Sequence, residues 1–304
     1  MTLGQLRSFL AVARFGSVRR AAAALFVTEP SVSASVGALE RELDVELLER
    51  QGRGVRLTTA GEELARHARE ALALLDRGAD AAREAARPGT GRLRLVAVTT
   101  AGEHVVPALL RGFAGRSPGI QPVLEVGNRA LVIDRLEARE ADLGIGGRPP
   151  AGRGIAGEPF APNELVLAAA AGHPLAASRR ISPSALSSET WLVREPGSGT
   201  RTTSEEYWAS AGIEPGAILT LGSNGAVKQA AALGLGITLI SEESVGVEIR
   251  AGMLRTLPVA GLPIRRAWHV LHPARGELSA SASAFLRFVR SPAAKRALRS
   301  ARAY

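Results

Sequence analysis

The sequence contains no cysteine among its 304 residues. Disulfide scaffolds, thiolate metal sites and cysteine nucleophiles are therefore excluded. No apolar run approaches the roughly 18–20 residues that a membrane-spanning helix requires. The first residues also lack the basic head and apolar stretch of a signal peptide. We therefore expect a cytoplasmic protein.

Histidine is sparse as well, and the five residues are His67, His104, His173, His269 and His272. Only the last two are close in sequence, and they lie in an alternating stretch that predicts a strand. A spacing of three places them on opposite faces of such a strand. No shared metal and no cofactor are expected.

Apolar residues make up 46% of the chain and charged residues 22%, which is an ordinary globular composition for two or three domains. The net charge is +9, and a basic chain often binds nucleic acid. The excess is unevenly placed. Residues 1–91 carry 13 Arg against 12 acidic residues, whereas residues 92–304 carry 25 basic against 17 acidic residues.

The N-terminal segment has the pattern of a helix-turn-helix. Apolar residues recur at helical spacing over residues 3–14, and Gly16 suits the end of that helix. Ser17 suits the N-cap of a short Ala-rich helix, and Thr28 caps a third helix that has Pro30 in its first turn. The following VELLERQGRGVRLT predicts a short hairpin in the position of a wing.

The exposed face of the third helix carries small residues, which let a helix enter a major groove deeply. Arginines in the second helix and the hairpin suit phosphate contacts. A packing module with a solvated arginine face is the alternative, but the ordered combination of elements favours DNA binding. The predicted DNA-contacting residues are Arg19, Arg20, Thr28, Pro30, Ser31, Ser33, Ala34, Ser35, Arg50, Arg53 and Arg56.

A long helix follows the hairpin. Thr59 and Glu62 fit a capping box with Thr59 as the N-cap, and the helix runs to about Ala86, a span of roughly 40 Å. Nothing nearby in sequence covers its apolar face, so we expect a partner helix from a second copy. A helix packed on its own domain is the alternative. The residues of this seam are Leu64, Ala68, Ala71, Leu75, Ala79, Ala82 and Ala86.

Beyond residue 91 the chain alternates strands and helices, first to about Phe160 and then again. This order implies parallel sheets with helices on their faces. Two lobes joined by two crossings would enclose a cleft, and ligands of such sheets bind at the carboxyl ends of the strands.

The turns at those strand ends share one chemistry. Helix N-termini offer N–H groups and a positive dipole end, glycines admit a close approach, and an arginine can pair with an anion. Each turn alone is more simply an ordinary N-cap, whereas their convergence on one cleft favours a site for a small anion. The predicted effector-binding residues are Thr99, Thr100, Gly147, Arg148, Ser198, Gly199, Thr200, Arg201 and Asn224.

Three blocks carry a family resemblance: LGQLRSFLAVARFGSVRRAAAAL, VTEPSVSASVGALERELDVELLER and VRLTTAGE. In order and spacing, the sequence resembles the LysR-type transcriptional regulators over its whole length. The resemblance implies an α/β fold with an N-terminal all-α winged helix-turn-helix, a long dimerisation helix and a two-lobed, periplasmic-binding-protein-like effector domain. It also implies a small coinducer and tetrameric assembly. REPGSGTR and GSNGAVKQAAALGLGI are most similar to the branch of carbon-fixation-operon regulators.

One departure concerns the third helix. It begins Thr28-Glu29-Pro30 where the family often has TQP, and Ala34 and Ser35 stand where basic or amide residues are common. This departure predicts more reliance on the wing and on DNA shape.

The predicted function is a transcriptional regulator controlled by a small anionic metabolite. Its expected partners are double-stranded DNA at a pseudo-palindromic promoter site, further copies of itself as a dimer or tetramer, and RNA polymerase. A transporter's solute-binding protein is the alternative. An enzyme is not expected, because no nucleophile–base pair, metal cluster or nucleotide loop is apparent. The expected domains are 1–58 (winged helix-turn-helix), 59–86 (dimerisation helix), 87–91 (hinge) and 92–304 (effector domain, with lobe I at 92–160 and 266–304 and lobe II at 161–265).

Overall fold

The computed structural model describes residues 1–52 and 54–302, with side chains as far as Ser300. The chain forms two compact units, one comprising Met1–Ala82 with Ala138–Glu140 and the other comprising the rest. Within the described residues, no single helix is long and apolar enough to cross a bilayer. One bent pair of helices, Val18–Leu25 with Glu29–Leu43, passes that test by length and composition.

The first unit begins with three helices, α1 (Leu3–Phe15), α2 (Val18–Leu25) and α3 (Glu29–Leu43), as the sequence predicts. Gly16 ends α1 in the left-handed conformation at φ +59°, which favours glycine. The hydroxyl of Thr28 accepts the Ser31 N–H and caps α3. The helices pack around one core, whose fully buried members include Phe9, Val12, Ala21, Val32 and Leu39.

The wing is an antiparallel hairpin of β1 (Leu48–Gln51) and β2 (Gly54–Leu57). Its second strand is fixed to the α1–α2 turn, because the Val55 N–H donates to the Gly16 carbonyl at 3.1 Å. A Cβ at position 54 would lie 2.8 Å from that same carbonyl oxygen, so glycine allows the close approach. The predicted hairpin is confirmed.

The long helix α4 (Thr59–Ala86) begins one residue earlier than the capping prediction implies. Thr58, and not Thr59, is the N-cap, since its hydroxyl accepts the Gly61 N–H at 3.0 Å. The same hydroxyl donates to the Glu46 carbonyl at 2.7 Å. The capping-box spacing to Glu62 favours Thr59 by sequence, whereas this tertiary hydrogen bond selects Thr58.

The seam along α4 divides into two parts. Leu64 and Ala68 pack against the core of the first three helices, so the expectation that nothing nearby covers them is wrong for the first turns. The chain folds back at the wing and brings that core to the helix. Further along, Leu75 is 52% exposed. The seam residues left exposed are Ala71, Leu75, Ala79, Ala82 and Ala86.

Lobe I is built around a parallel sheet in which β3 lies between β4 and β5. This confirms the predicted strand–helix alternation. Two C-terminal helices, α11 and α12, complete its core. The elements are β3 (Gly91–Val98), α5 (Thr99–His104), α6 (Val106–Ala114), β4 (Ile120–Gly127), α7 (Arg129–Glu137), β5 (Leu143–Gly146), α11 (Ala280–Arg290) and α12 (Pro292–Arg302).

Lobe II repeats the arrangement, with β7 parallel to β8 on one side and bridged to the start of β9 on the other. The sequence does not predict α10 or β10. The elements are β7 (Thr190–Arg194), α8 (Gly199–Ala211), β8 (Ala217–Leu221), α9 (Asn224–Ala232), β9 (Thr238–Ser241), α10 (Glu242–Arg250) and β10 (Leu254–Thr256).

Two long antiparallel strands join the lobes, β6 (Ile155–Ala170) and β11 (Ile264–Pro273). β11 pairs with β5 in lobe I, and β6 pairs with β9 and β10 in lobe II. The pattern therefore does not restart after Phe160, because β6 runs continuously through that position. The crossings leave a cleft at the carboxyl ends of the parallel strands.

Candidate functional site

A cavity of about 260 Å³ lies in the cleft between the lobes. The structure brings seven of the nine predicted effector residues to its wall, from the ends of β3, β5 and β7 and the start of α8. Those seven residues are Thr99, Thr100, Gly147, Arg148, Ser198, Gly199 and Thr200.

Asn224 lies behind this wall and connects the lobes. Its buried side-chain amide donates to the Thr100 hydroxyl at 2.9 Å, and its carbonyl oxygen accepts from Arg194. Arg194 is itself buried and forms a two-point ion pair with Glu195. A hydrogen-bonded chain thus runs from lobe II to the first helix of lobe I.

Arg201 is not brought to the cavity. Its guanidinium donates to Glu205 at 2.8 Å, to the Arg194 carbonyl and to the Thr220 hydroxyl. These hydrogen bonds hold the Arg201 side chain against lobe II, and it does not line the cavity.

Four arginines line the cavity, namely Arg129, Arg148, Arg194 and Arg266, whereas Glu206 is the single carboxylate among the lining residues. Burial lowers the pKa of Arg129, the nearby charge of Arg266 lowers it further, and Glu206 acts in the opposite direction. The guanidinium remains protonated at neutral pH, because the ordinary arginine pKa is far above 7. The cavity therefore carries an excess of positive charge.

The N-terminus of α8 adds to this field. Its N-cap, Ser198, is 5% exposed and makes no capping hydrogen bond. The first N–H groups of a helix carry a partial positive charge and favour an anion. Glycine at position 199 keeps the approach to those groups open.

Three of the lining arginines escape the sequence prediction. Arg129 and Arg194 stand at the ends of β4 and β7, so the strand-end rule that finds Thr100 would find them too. Arg266 lies within β11, an antiparallel crossing strand, where no local pattern marks it. Only the pairing of β11 with β6 brings it to the cleft.

A larger cavity, of about 850 Å³, lies on the other side of Trp268. Charges of both signs surround it, including Glu103, Glu242 and Arg111. The smaller cavity is therefore the better anion site, since its charge is of nearly one sign. Among the residues that the structure describes, no group of three or more His, Asp or Glu side chains is placed to hold a metal ion.

A second surface lies on the first unit. The predicted residues of α3 form its outer face, where Ser31, Ser33 and Ala34 are exposed and Ser35 is half-buried. The opposite face buries Val32, Val36 and Leu39 in the core. Thr28 and Pro30 occupy the N-cap and the first turn of the helix.

Four of the predicted phosphate anchors lie on α2 and on the two strands of the wing. Arg19 and Arg20 are exposed in the first turn of α2, and Arg50 is exposed on β1. Arg56 is exposed on β2 and pairs with Glu49 across the hairpin at 2.7 Å. Arg53 lies outside the described residues.

A winged helix-turn-helix joined to a two-lobed domain with a cationic cleft defines a class of protein, the ligand-responsive DNA-binding regulators. Comparison with known proteins identifies the family. Residues 3–62 match the model of the bacterial regulatory helix-turn-helix protein, lysR family, and residues 86–294 match the LysR substrate binding domain. The chain belongs to the LysR family of transcriptional regulators.

Individual proteins agree with this assignment. The RuBisCO operon transcriptional regulator of Acidithiobacillus ferrooxidans is 36% identical over 288 residues, which cover 95% of this chain and 93% of the relative. The regulatory domain of CcmR from Synechocystis PCC6803, solved in complex with 2-PG, is 36% identical with a TM-score of 0.62, covering 66% of this chain and 95% of that domain. Full-length CbnR complexed with its target DNA is 26% identical with a TM-score of 0.69, covering 95% of this chain and 99% of CbnR.

The predicted family, fold class and branch are thereby confirmed. The protein is a DNA-binding transcriptional regulator with an effector-binding domain, and the alternative of a transporter's solute-binding protein is set aside. LysR regulators form oligomers, as predicted for this chain.

Proposed function

We propose that the cleft binds a small anion with two acidic groups, a phosphate and a carboxylate, and that its occupancy changes DNA binding. The observation that carries the proposal is the excess of arginine over carboxylate in the cavity wall. Arg129, Arg148 and Arg266 outnumber Glu206 there, whereas the charge of Arg194 is balanced by Glu195. A guanidinium group can bind a phosphate or a carboxylate through two parallel hydrogen bonds. A volume below the roughly 300–1,000 Å³ of drug-sized sites suits a small metabolite.

The placement of these groups suggests how the ligand acts. Arg129 and Arg148 belong to lobe I, Arg194 and the start of α8 belong to lobe II, and Arg266 belongs to a crossing strand. An anion held from both sides favours the closed arrangement of the lobes, because it binds that arrangement more tightly than an open one. The relative crystallised with 2-PG supports this ligand class.

The experiment titrates the full-length protein with 2-phosphoglycolate (2-PG) by calorimetry. It also measures DNA binding in the presence and absence of 2-PG. Inorganic phosphate, glycolate and neutral glycerol serve as comparison ligands. We expect 2-PG to bind more tightly than either fragment and to change DNA affinity, and glycerol to do neither. Absence of binding by every anion, or equal binding of glycerol, would overturn the proposal.

Replacing Thr100 with Val should reduce the response to 2-PG by about tenfold and leave DNA affinity without ligand unchanged. The valine leaves the buried amide of Asn224 without its acceptor, a loss of about 1–3 kcal/mol that penalises the closed lobes. Fluorescence anisotropy with labelled DNA at increasing 2-PG measures the response. Thr90→Val is the matched control, since the Thr90 hydroxyl donates to the Arg87 carbonyl away from the cavity and its removal should leave the response unchanged. Equal responses in wild type and Thr100→Val would contradict the role of this hydrogen bond.

Thr200→Val tests the lobe II side of the site in the same assay. Thr200 lines the cavity at the start of α8, and we expect its replacement to weaken the response as well. A normal response in both the Thr100 and the Thr200 variants would contradict the placement of the ligand.

We propose that the DNA contacts come from the exposed face of α3, the first turn of α2 and the wing. Small side chains on α3 permit a deep approach to the groove, and the arginines on either side supply phosphate contacts. We further propose the domain boundaries given above, a cytoplasmic location and the absence of catalytic activity. These follow from a role that consists of binding chromosomal DNA and a metabolite.

We propose that the exposed part of the α4 seam pairs two copies of the chain. Leu75→Glu should raise the dimer dissociation constant at least about a hundredfold, because burial of a leucine is worth roughly 1.5–3 kcal/mol and a symmetric dimer loses two. Sedimentation equilibrium measures the change. Leu74→Glu is the matched control, since Leu74 is also exposed but lies outside the seam. Equal effects of the two substitutions would show that the seam is wrongly placed.

A further inference from the structure

The excess positive charge of residues 92–304 has a location that the effector site does not account for. Helices α6, α11 and α12 contain no aspartate or glutamate anywhere in their sequences. They carry several basic residues, and Arg116 follows α6 closely. We define the basic patch as Arg111, Arg116, Arg287, Lys295, Arg296 and Arg299.

The three helices meet at Gly112, so the six cations belong to one packed group of helices in lobe I. A Cβ at that position would lie 2.9 Å from the ring of Phe288 in α11 and 3.1 Å from the Cβ of Ala297 in α12. The Arg116 guanidinium also lies 5.8 Å from the centre of the Phe288 ring.

The patch is exposed and uncompensated. All six side chains are exposed, and none forms an ion pair within the part of the chain that the structure describes. Arg290 is different, because it pairs with Glu158, and it is left out of the patch for that reason.

This arrangement costs stability. Lys295 and Arg299 stand four residues apart on α12, and Arg296 and Arg299 stand three apart, spacings at which like charges repel. The first turn of α12 has no acidic residue to complement the helix dipole. A polyanion placed on the patch would relieve the repulsion.

We propose that the basic patch is a second DNA-binding surface, which contacts backbone phosphates of the duplex flanking the recognised site. The character of the surface favours DNA over an acidic protein. No large apolar side chain of these three helices is exposed in the described structure, whereas protein interfaces have an apolar core. Interfaces with DNA are more polar and strongly positive. The winged domain holds the duplex already, so the patch meets DNA at a high effective concentration.

The test uses the full-length triple variant Lys295→Gln, Arg296→Gln, Arg299→Gln. The probe is a site selected with the wild-type chain from a random-sequence pool, supplied once as a minimal duplex and once centred in a duplex several times longer. We expect the variant to bind the long duplex about tenfold more weakly. On the long duplex, the slope of log affinity against log salt concentration should become shallower by about two to three. Each phosphate that the variant no longer neutralises reduces that slope by close to 0.9. Affinity for the minimal duplex should stay unchanged.

The matched control is Arg179→Gln, Arg180→Gln, Arg255→Gln, which removes the same charge from exposed positions of lobe II. It should bind both duplexes as the wild type does. Circular dichroism and sedimentation check that folding and self-association are preserved, and Arg299→Gln alone serves if the triple variant fails this check. Unchanged affinity and slope on the long duplex would overturn the proposal, as would an equal loss in the control. Capture of an acidic protein by the patch together with unchanged DNA binding would also overturn it.

Discussion

Substitution of Arg129 by Gln should weaken 2-PG binding by at least about thirtyfold and leave DNA affinity without ligand unchanged. The guanidinium is half-buried at the cavity wall, burial lowers its pKa, and Arg266 adds a like charge nearby. A bound anion would offset both the burial of the Arg129 charge and its repulsion from Arg266. Removing one partner of a desolvated charge pair costs about 2–5 kcal/mol, and each 1.4 kcal/mol is tenfold in affinity.

Calorimetry on three variants separates charge from position. Arg129→Lys keeps the charge but loses the two-point geometry, so it should fall between wild type and Arg129→Gln. Arg148→Gln removes an exposed lining cation and should cost only a few-fold, because exposed charges are screened by water. Arg153→Gln removes an exposed cation that pairs with Glu137 outside the cavity and should change nothing. Equal losses at Arg129 and Arg153 would refute the assignment.

Gly61→Ala should destabilise the winged unit by about 3 kcal/mol or more and abolish DNA binding at growth temperature. A Cβ at that position would lie 2.0 Å from the carbonyl oxygen of Leu47 and 3.1 Å from the Leu57 side chain. The carbonyl has little room to move, because Leu47 is buried and its oxygen accepts the Thr58 N–H at 3.0 Å. Overpacking of this kind typically costs about 1–3 kcal/mol, and more where backbone must shift.

The same helix supplies the control. Nothing lies within 4 Å of a Cβ at Gly78, so Gly78→Ala should stabilise α4 by about 0.5–1 kcal/mol through helix propensity. Differential scanning calorimetry of the two variants gives the shifts in unfolding temperature, and anisotropy gives the DNA affinity. A Gly61→Ala variant that melts with the wild type would show that the wing and α4 are not packed as described.

The contrast between Thr100 and Arg266 shows what local pattern can predict about the site. Thr100 follows a strand whose alternation is evident in RLRLVAV, and strand ends of parallel sheets gather at one edge. The strand that carries Arg266 runs antiparallel through the crossing, and its contribution depends on a partner strand about a hundred residues earlier in the chain. The sequence predicts Asn224 as an effector-binding residue, but its buried hydrogen bond to Thr100 follows from the packing of two lobes.

The cap of α4 and its seam show the same limit for helices. Thr58 and Thr59 are chemically interchangeable as caps, and the carbonyl of Glu46 decides between them. Leu64 and Leu75 have the same periodicity, yet the winged core covers the first and leaves the second exposed.

Capping, periodicity and strand-end chemistry act over a few residues. The amino-acid order alone therefore predicts the kind of protein, the succession of most helices and strands, and the strand-end part of the cleft lining. Three properties required the folded chain: which arginines surround the cavity, which part of the long helix stays exposed, and where the unpaired cations of lobe I gather. Those properties depend on packing between segments far apart in the chain, and no local pattern records them.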